Sequence, residues 1–253
     1  MNKANSIKHR KELEQIKPYI PGKPIWEVPK ELSLKKVTKM SSNENPIGPS
    51  PKAIEVIANS LFNLNRYPDE HAIELKGAIA SNLSLSTDQL IVTNGADELI
   101  TLISETYISP GDEVIVPTPS FSEYDFGAHL MGAMIYPVPL DQDYQHNIDA
   151  ILTAVTDRTK LIYICSPNNP TGPYLRKSML EDLLYSLPNH VLVVMDSAYS
   201  HFASSTDYTD GLVYVRSGFP IIVVKTFSKV YGLAGLRVGF GAARKHYSCE
   251  RAV

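Results

Sequence analysis

Three runs in the second half of the chain are apolar at almost every position: Lys160-Leu161-Ile162-Tyr163-Ile164-Cys165, Val191-Leu192-Val193-Val194-Met195 and Ile221-Ile222-Val223-Val224. A strand with one wet face alternates apolar and polar residues, whereas a strand covered on both faces need not. Shorter runs of the same kind stand at Leu90-Ile91-Val92, Glu113-Val114-Ile115-Val116 and Met134-Ile135-Tyr136-Pro137-Val138. Helical spacing covers 51–64 and 70–83, and a further helix opens near Ala96. Strands separated by helices predict an α/β protein: a three-layer α/β/α sandwich built on a mostly parallel sheet.

The 253 residues, 43% of them hydrophobic, suffice for one or two domains with a sizeable core. The balance of 24 basic and 27 acidic residues leaves no electrostatic footprint for nucleic acid. Histidines stand singly, without metal-ligand spacing. Two cysteines, Cys165 and Cys249, make neither a disulfide framework nor a zinc site, which fits a reducing compartment. The charged N-terminus has no signal-peptide core, and no apolar run approaches the ~20 residues that span a bilayer. The expectation is a cytoplasmic protein without membrane or nucleic-acid partners.

In open parallel sheets a ligand sits beyond the carboxyl ends of the strands, and the polar motifs of this chain fall there. Asn94-Gly95-Ala96-Asp97-Glu98 turns a strand into a helix, whose free amides near Ala96 and Asp97 can hold a phosphate. Its acidic residues also suit an ordinary first helical turn, and it is neither a Walker loop nor a dinucleotide fingerprint. Phe121, in Pro119-Ser120-Phe121-Ser122-Glu123-Tyr124, is either a core aromatic or a ring that stacks on a planar ligand. Ser166-Pro167-Asn168-Asn169-Pro170-Thr171-Gly172 reads as a tight turn able to hold an asparagine rigid. Asp196 ends an apolar run, where an unpaired carboxylate is costly. It serves as a helix cap, as half of a salt bridge, or as the partner of a protonated ring nitrogen, with Tyr199 in reach of the same ligand.

The last of these strands runs into Lys225-Thr226-Phe227-Ser228-Lys229, then Gly232-Leu233-Ala234-Gly235-Leu236-Arg237-Val238-Gly239. An amine, two hydroxyls and a guanidinium are thereby gathered around a small volume. The amine can form a Schiff base and the others can hold a phosphate. Lysines after strands are ordinarily surface residues and arginines ordinarily form structural ion pairs. Lys225 competes for the role, and Lys229 is preferred because the glycine-rich turn and Arg237 follow it.

Taken together these residues resemble the fold-type I aminotransferases that use pyridoxal 5'-phosphate (PLP), and among them the histidinol-phosphate aminotransferases. The resemblance covers about 18–241 and rests on Thr226-x-Ser228-Lys229 with Arg237, on Asn169-Pro170-Thr171-Gly172 and on Asp196-x-Ala198-Tyr199. Its histidinol-phosphate character comes from Tyr19-x-Pro21-Gly22-Lys23-Pro24, Asn43-Glu44-Asn45-Pro46-x-Gly48-Pro49 and Arg66-Tyr67-Pro68-Asp69. Aromatic amino-acid aminotransferases and threonine-phosphate decarboxylases carry similar segments. The resemblance implies that Lys229 binds PLP covalently and moves a proton, and that Asp196 pairs with the pyridine nitrogen. It implies Asn169 and Tyr199 on the ring hydroxyl and Phe121 on the ring. Ala96, Asp97, Thr226, Ser228 and Arg237 would hold the phosphate. It further implies an amino donor and a 2-oxo acid as substrates, Tyr19 near the substrate phosphate, and a homodimer in which Tyr67 reaches the neighbouring site.

On the same resemblance the chain divides into an arm with a small-domain segment (1–50), a PLP-binding large domain (51–243) and a non-matching tail (244–253), with the C-terminal small domain absent. Three expectations follow: an aminotransferase with its cofactor half intact; a truncated or frame-shifted product that binds PLP weakly or not at all and has no catalytic role; or an enzyme that keeps the cofactor and decarboxylates an amino-acid phosphate.

Overall fold

A computed structural model describes residues 7–16, 23–34 and 37–245. Among these residues seven strands make one sheet: β1 (Leu90–Thr93), β2 (Glu113–Thr118), β3 (Met134–Pro139), β4 (Thr159–Cys165), β5 (Leu192–Asp196), β6 (Ile221–Thr226) and β7 (Gly239–Ala243). Their spatial order is β1-β7-β6-β5-β4-β2-β3. β7 is antiparallel to both neighbours, β1 and β6, and the others run parallel.

Period-two alternation along the buried strands supplies two cores. Ile162 and Ile164 of β4 join Val193, Met195, Ile221 and Val223 on one face. There they meet α3 (Ile73–Leu83), α6 (Ile148–Ala154), α7 (Lys177–Ser186) and α8 (Leu212–Arg216). Leu161, Tyr163 and Cys165 point the other way, with Val194, Ile222 and Val224, against α4 (Gly95–Tyr107) and α5 (Glu123–Leu130). This is the three-layer sandwich that the apolar runs predict. Each fully buried aliphatic side chain contributes about 1.5–3 kcal/mol relative to exposure, so both helical layers are held by the sheet.

The remaining helices, α1 (Glu27–Leu32) and α2 (Pro51–Ser60), bury none of their residues. α2 starts where its chemistry dictates: Ser50 Oγ accepts from the Ala53 amide at 3.2 Å and Pro51 takes the first helical position. The helical spacing over 51–64 tightens at its end into a 3-10 turn, Leu61–Asn63. That over 70–83 begins only at Ile73, because the Asp69 carboxylate accepts from the His71 and Ile73 amides and holds a turn ahead of it.

Sequence patterning misses β7 altogether. In Gly239-Phe240-Gly241-Ala242-Ala243 the two glycines face α4, which leaves no room for side chains: a Cβ on Gly241 would meet Leu99 Cδ2 at 2.8 Å, and one on Gly239 would meet the Gly95 carbonyl carbon at 2.6 Å. Close approach replaces strand propensity here. Lys225 and Thr226, expected in the loop, are the last residues of β6.

Candidate functional site

The carboxyl ends of β1, β2, β4, β5 and β6 open onto one cleft of about 1010 Å³. It is built from strand ends, the loops that follow them, one helix start and residues 42–44 of the N-terminal arm. Asp196, the last residue of β5, is only 5% exposed. Its Oδ2 accepts from the Tyr124 hydroxyl at 2.7 Å and its Oδ1 from the Ala198 amide at 2.9 Å. Burial pushes its pKa up, and these two hydrogen bonds with the more distant Lys229 pull it back. The carboxylate thus sits in the cleft wall with neutral donors only.

Lys229 reaches the same cleft from the loop after β6. Its Nζ donates to the Ser42 carbonyl at 3.1 Å and lies 5.5 Å from the centre of the Tyr199 ring. Burial lowers its pKa; Asp97, Asp196 and Glu44 oppose that, while Arg237 adds to it. Lys225 is elsewhere. It is 6% exposed, paired with Asp210 at 2.8 Å and bonded to Ser200 Oγ, and it lines a separate cavity of about 460 Å³.

At one end of the cleft stands the N-terminus of α4. Asn94 does not cap it: its side chain turns to the Glu98 carboxylate, and Ala96 and Asp97 of the first turn line the cleft. Arg237 closes this corner. It donates to Ser228 Oγ at 3.3 Å and to the Ala234 carbonyl, and it pairs with Asp97 at 3.1 Å. Gly95 makes the corner possible, since its φ of +83° suits glycine and a Cβ there would run into the Arg237 guanidinium. Thr226 Oγ1 accepts from the Ser228 amide at 3.0 Å, so both hydroxyl residues are fixed beside the guanidinium.

Phe121 and Asn169 also line the cleft. Asn169 is steadied by its neighbour: Asn168 is buried and donates to Pro119 O and Thr171 Oγ1 while accepting from Ser120 Oγ. Ala96, Asp97, Phe121, Asn169 and Asp196 are thus brought together with Tyr199, Thr226, Ser228, Lys229 and Arg237. Tyr67 is not among them; it is 100% exposed. Tyr19 lies outside the described residues, as does the tail beyond 245.

This sequence matches the aminotransferase class I and II family over residues 35–252, most of its length. The chain belongs to that family. Among its aminotransferase relatives, the histidinol-phosphate aminotransferase of Moorella thermoacetica is 46% identical over 241 residues, covering 95% of this chain and 62% of the relative. The solved histidinol-phosphate aminotransferase of Sinorhizobium meliloti, in complex with pyridoxal-5'-phosphate, superimposes with a TM-score of 0.86 at 22% identity, over 96% of this chain and 65% of that one. A putative histidinol-phosphate aminotransferase from Erwinia carotovora atroseptica gives 0.79 at 27% identity, over 84% and 63%. The chain therefore spans rather less than two thirds of the length of these aminotransferases.

Two parts of the site escape sequence reasoning. One is the arm: Asn43 Nδ2 donates to the Tyr199 hydroxyl at 3.0 Å, and Ser42 and Asn43 both adopt positive φ to lie over Lys229. Asn45 Nδ2 anchors the segment on the Val230 carbonyl at 2.8 Å. The other is Tyr124, which reads as a core aromatic and is one, but whose hydroxyl ends on Asp196. Among the described residues no cluster of His, Cys, Asp and Glu is arranged to hold a metal, and no helix is long and apolar enough to cross a membrane.

Proposed function

We propose that the cleft holds PLP and that the protein transfers an amino group from histidinol phosphate to a 2-oxo acid, 2-oxoglutarate. The observation that carries this reading is Lys229 and Asp196 in one cleft beside a corner made for an anion. The donor set fits PLP part by part. Asp196, buried with neutral donors only, calls for a cation, as a protonated pyridine nitrogen would be. The amides of Ala96 and Asp97, the hydroxyls of Thr226 and Ser228 and the Arg237 guanidinium together suit a phosphate. Phe121 would stack on the ring, and Asn169 and Tyr199 would meet its hydroxyl.

When bound, PLP supplies an electron sink for the carbanion left by proton removal. The chain's own residues supply the rest. Burial depresses the basicity of Lys229 Nζ, so that more of it is a free amine near neutrality, able to take the substrate's α-proton and return it. Asp196 would keep its partner nitrogen protonated. Tyr67, wholly exposed next to exposed Phe62 and Leu64, supports a homodimer in which it reaches the phosphate of the neighbouring site. The substrate assignment rests on the relatives' names.

Titration with PLP tests the assignment of the lysine. The cofactor's visible band should form with the natural chain and with Lys225→Met, and should vanish with Lys229→Ala; the reverse pattern refutes it. Transamination of histidinol phosphate by 2-oxoglutarate, assayed for this chain and for the chain extended by a relative's remaining third, tests the substrate.

A further inference from the structure

Asp196 has a dedicated partner that the reading above does not use. Tyr124 stands in the first turn of α5 and is fully buried. Its ring stacks on Tyr163 with centres 4.6 Å apart and planes 12° apart, and Phe121 meets it edge-on at 5.7 Å. Tyr163 is itself held through its hydroxyl, 3.2 Å from Ser104 Oγ. With the ring held by both neighbours, the Tyr124 hydroxyl donates to Asp196 Oδ2 at 2.7 Å, with the Cys165 thiol beside the same hydroxyl. A phenol beside a carboxylate donates, and such charge-assisted bonds are short and strong.

We propose that Tyr124 is a positioning residue: it fixes the Asp196 carboxylate facing the cleft and keeps the shared proton on the cofactor's ring nitrogen instead of on the carboxylate oxygen. This rests on the reading of the cleft as a PLP site. The Ala198 amide holds Oδ1 and Tyr124 holds Oδ2, so neither oxygen is free to rotate out of place. Electrostatics agree with the geometry. Burial and the Asp97 charge make Asp196 more basic, whereas Tyr124, Ala198 and Lys229 make it less so. The other titratable groups facing this corner, Cys165 on β4 and Tyr199 after β5, are pushed up by burial and are neutral near pH 7. A carboxylate that lost the Tyr124 donor would compete better for the proton and leave the ring nitrogen neutral.

Tyr124→Phe keeps the stack and removes only the hydroxyl. Tyr163→Phe is the matched control, because it deletes a neighbouring buried hydroxyl that touches Ser104 and not Asp196. Two readouts separate positioning from packing: PLP affinity from the visible band, and the resonance of the ring nitrogen in nitrogen-15-labelled PLP, followed against pH. Tyr124→Phe should bind PLP about ten-fold more weakly, with its ring-nitrogen resonance moved toward the neutral form at a pH where the natural chain holds it protonated. Tyr163→Phe should keep the natural resonance. If Tyr124→Phe matches the natural chain in both, or if Tyr163→Phe moves the resonance equally, the proposal is overturned and the PLP reading stands. If the natural chain forms no band, the PLP reading fails and takes this proposal with it.

Discussion

His146 lies just ahead of α6, 1% exposed, and neither ring nitrogen has a partner among the described residues. Burial pushes its pKa down from 6.5 to about 4, with Asp141 opposing weakly. The unfolded ring takes up a proton near 6.5 and the folded ring only near 4, so the unfolded state binds more protons between these values. Stability is therefore unaffected above that window and falls as pH drops through it, by about 3 kcal/mol in all. Denaturant unfolding at pH 7 and pH 5 should show a loss that His146→Leu largely removes. The variant should also be the more stable at pH 7, since it no longer buries two unpaired nitrogens. An unchanged pH dependence in His146→Leu would sink the assignment. The two lysines show what sequence conveys at this scale. Lys225 shares its parity with Ile221 and Val223, so strand alternation alone turns it away from the cleft. Which polar atoms receive each side chain, such as the Ser42 carbonyl for Lys229, depends on chain almost two hundred residues away, and no local pattern encodes it.

At the scale of elements, the meeting of β7, α4 and the Arg237 turn is where the fold makes the site. β7 inserts antiparallel between β1 and β6, and its glycines let the start of α4 lie against it. The parallel strands were legible because burial on both faces makes them continuously apolar. β7 was not, because the same burial at short range demands the absence of side chains. The corner at the start of α4 is legible as a strand-to-helix turn with glycine, but the contact of Gly95 with Arg237 is not. Gly95→Ala tests that junction. A Cβ at φ +83° costs roughly 1–2 kcal/mol by backbone strain alone, and here it also displaces the guanidinium. Gly218→Ala, at φ +79° with open space around it, carries the strain without the collision. Both should lose similar stability in denaturant, while only Gly95→Ala should lose PLP affinity, by ten-fold or more as the arginine's hold on phosphate is lost. Equal PLP binding by the two variants would mean that Arg237 does not depend on this approach.

On the scale of the whole molecule the apolar surface is unevenly placed. The two cores enclose the sheet, yet Ile54 and Val56 on α2, Phe62 and Leu64 after it and Ile73 at the start of α3 are all exposed, with Tyr67 among them. α2 is capped by Ser50 and has no fully buried residue, only Ala53 and Ile57 half-buried, so its stability as a helix needs a partner surface. The sequence displayed α2 by its spacing but could not tell what covers it, because periodicity reports that a face is apolar and not which chain lies against it. A second copy of the protein is the occupant we expect, since the residue that the PLP reading sends to a neighbouring site stands in this patch. Sedimentation at micromolar concentration should give a dimer, and Phe62→Asp with Leu64→Lys should give a monomer. On the proposed reading a monomer lacks the Tyr67 that its partner would supply, so PLP affinity should fall together with dimerisation, and Tyr67→Phe in an intact dimer should reproduce part of that fall. A natural chain that sediments as a soluble monomer, or a monomeric variant with undiminished PLP affinity, would show that this surface is covered by something other than its own copy.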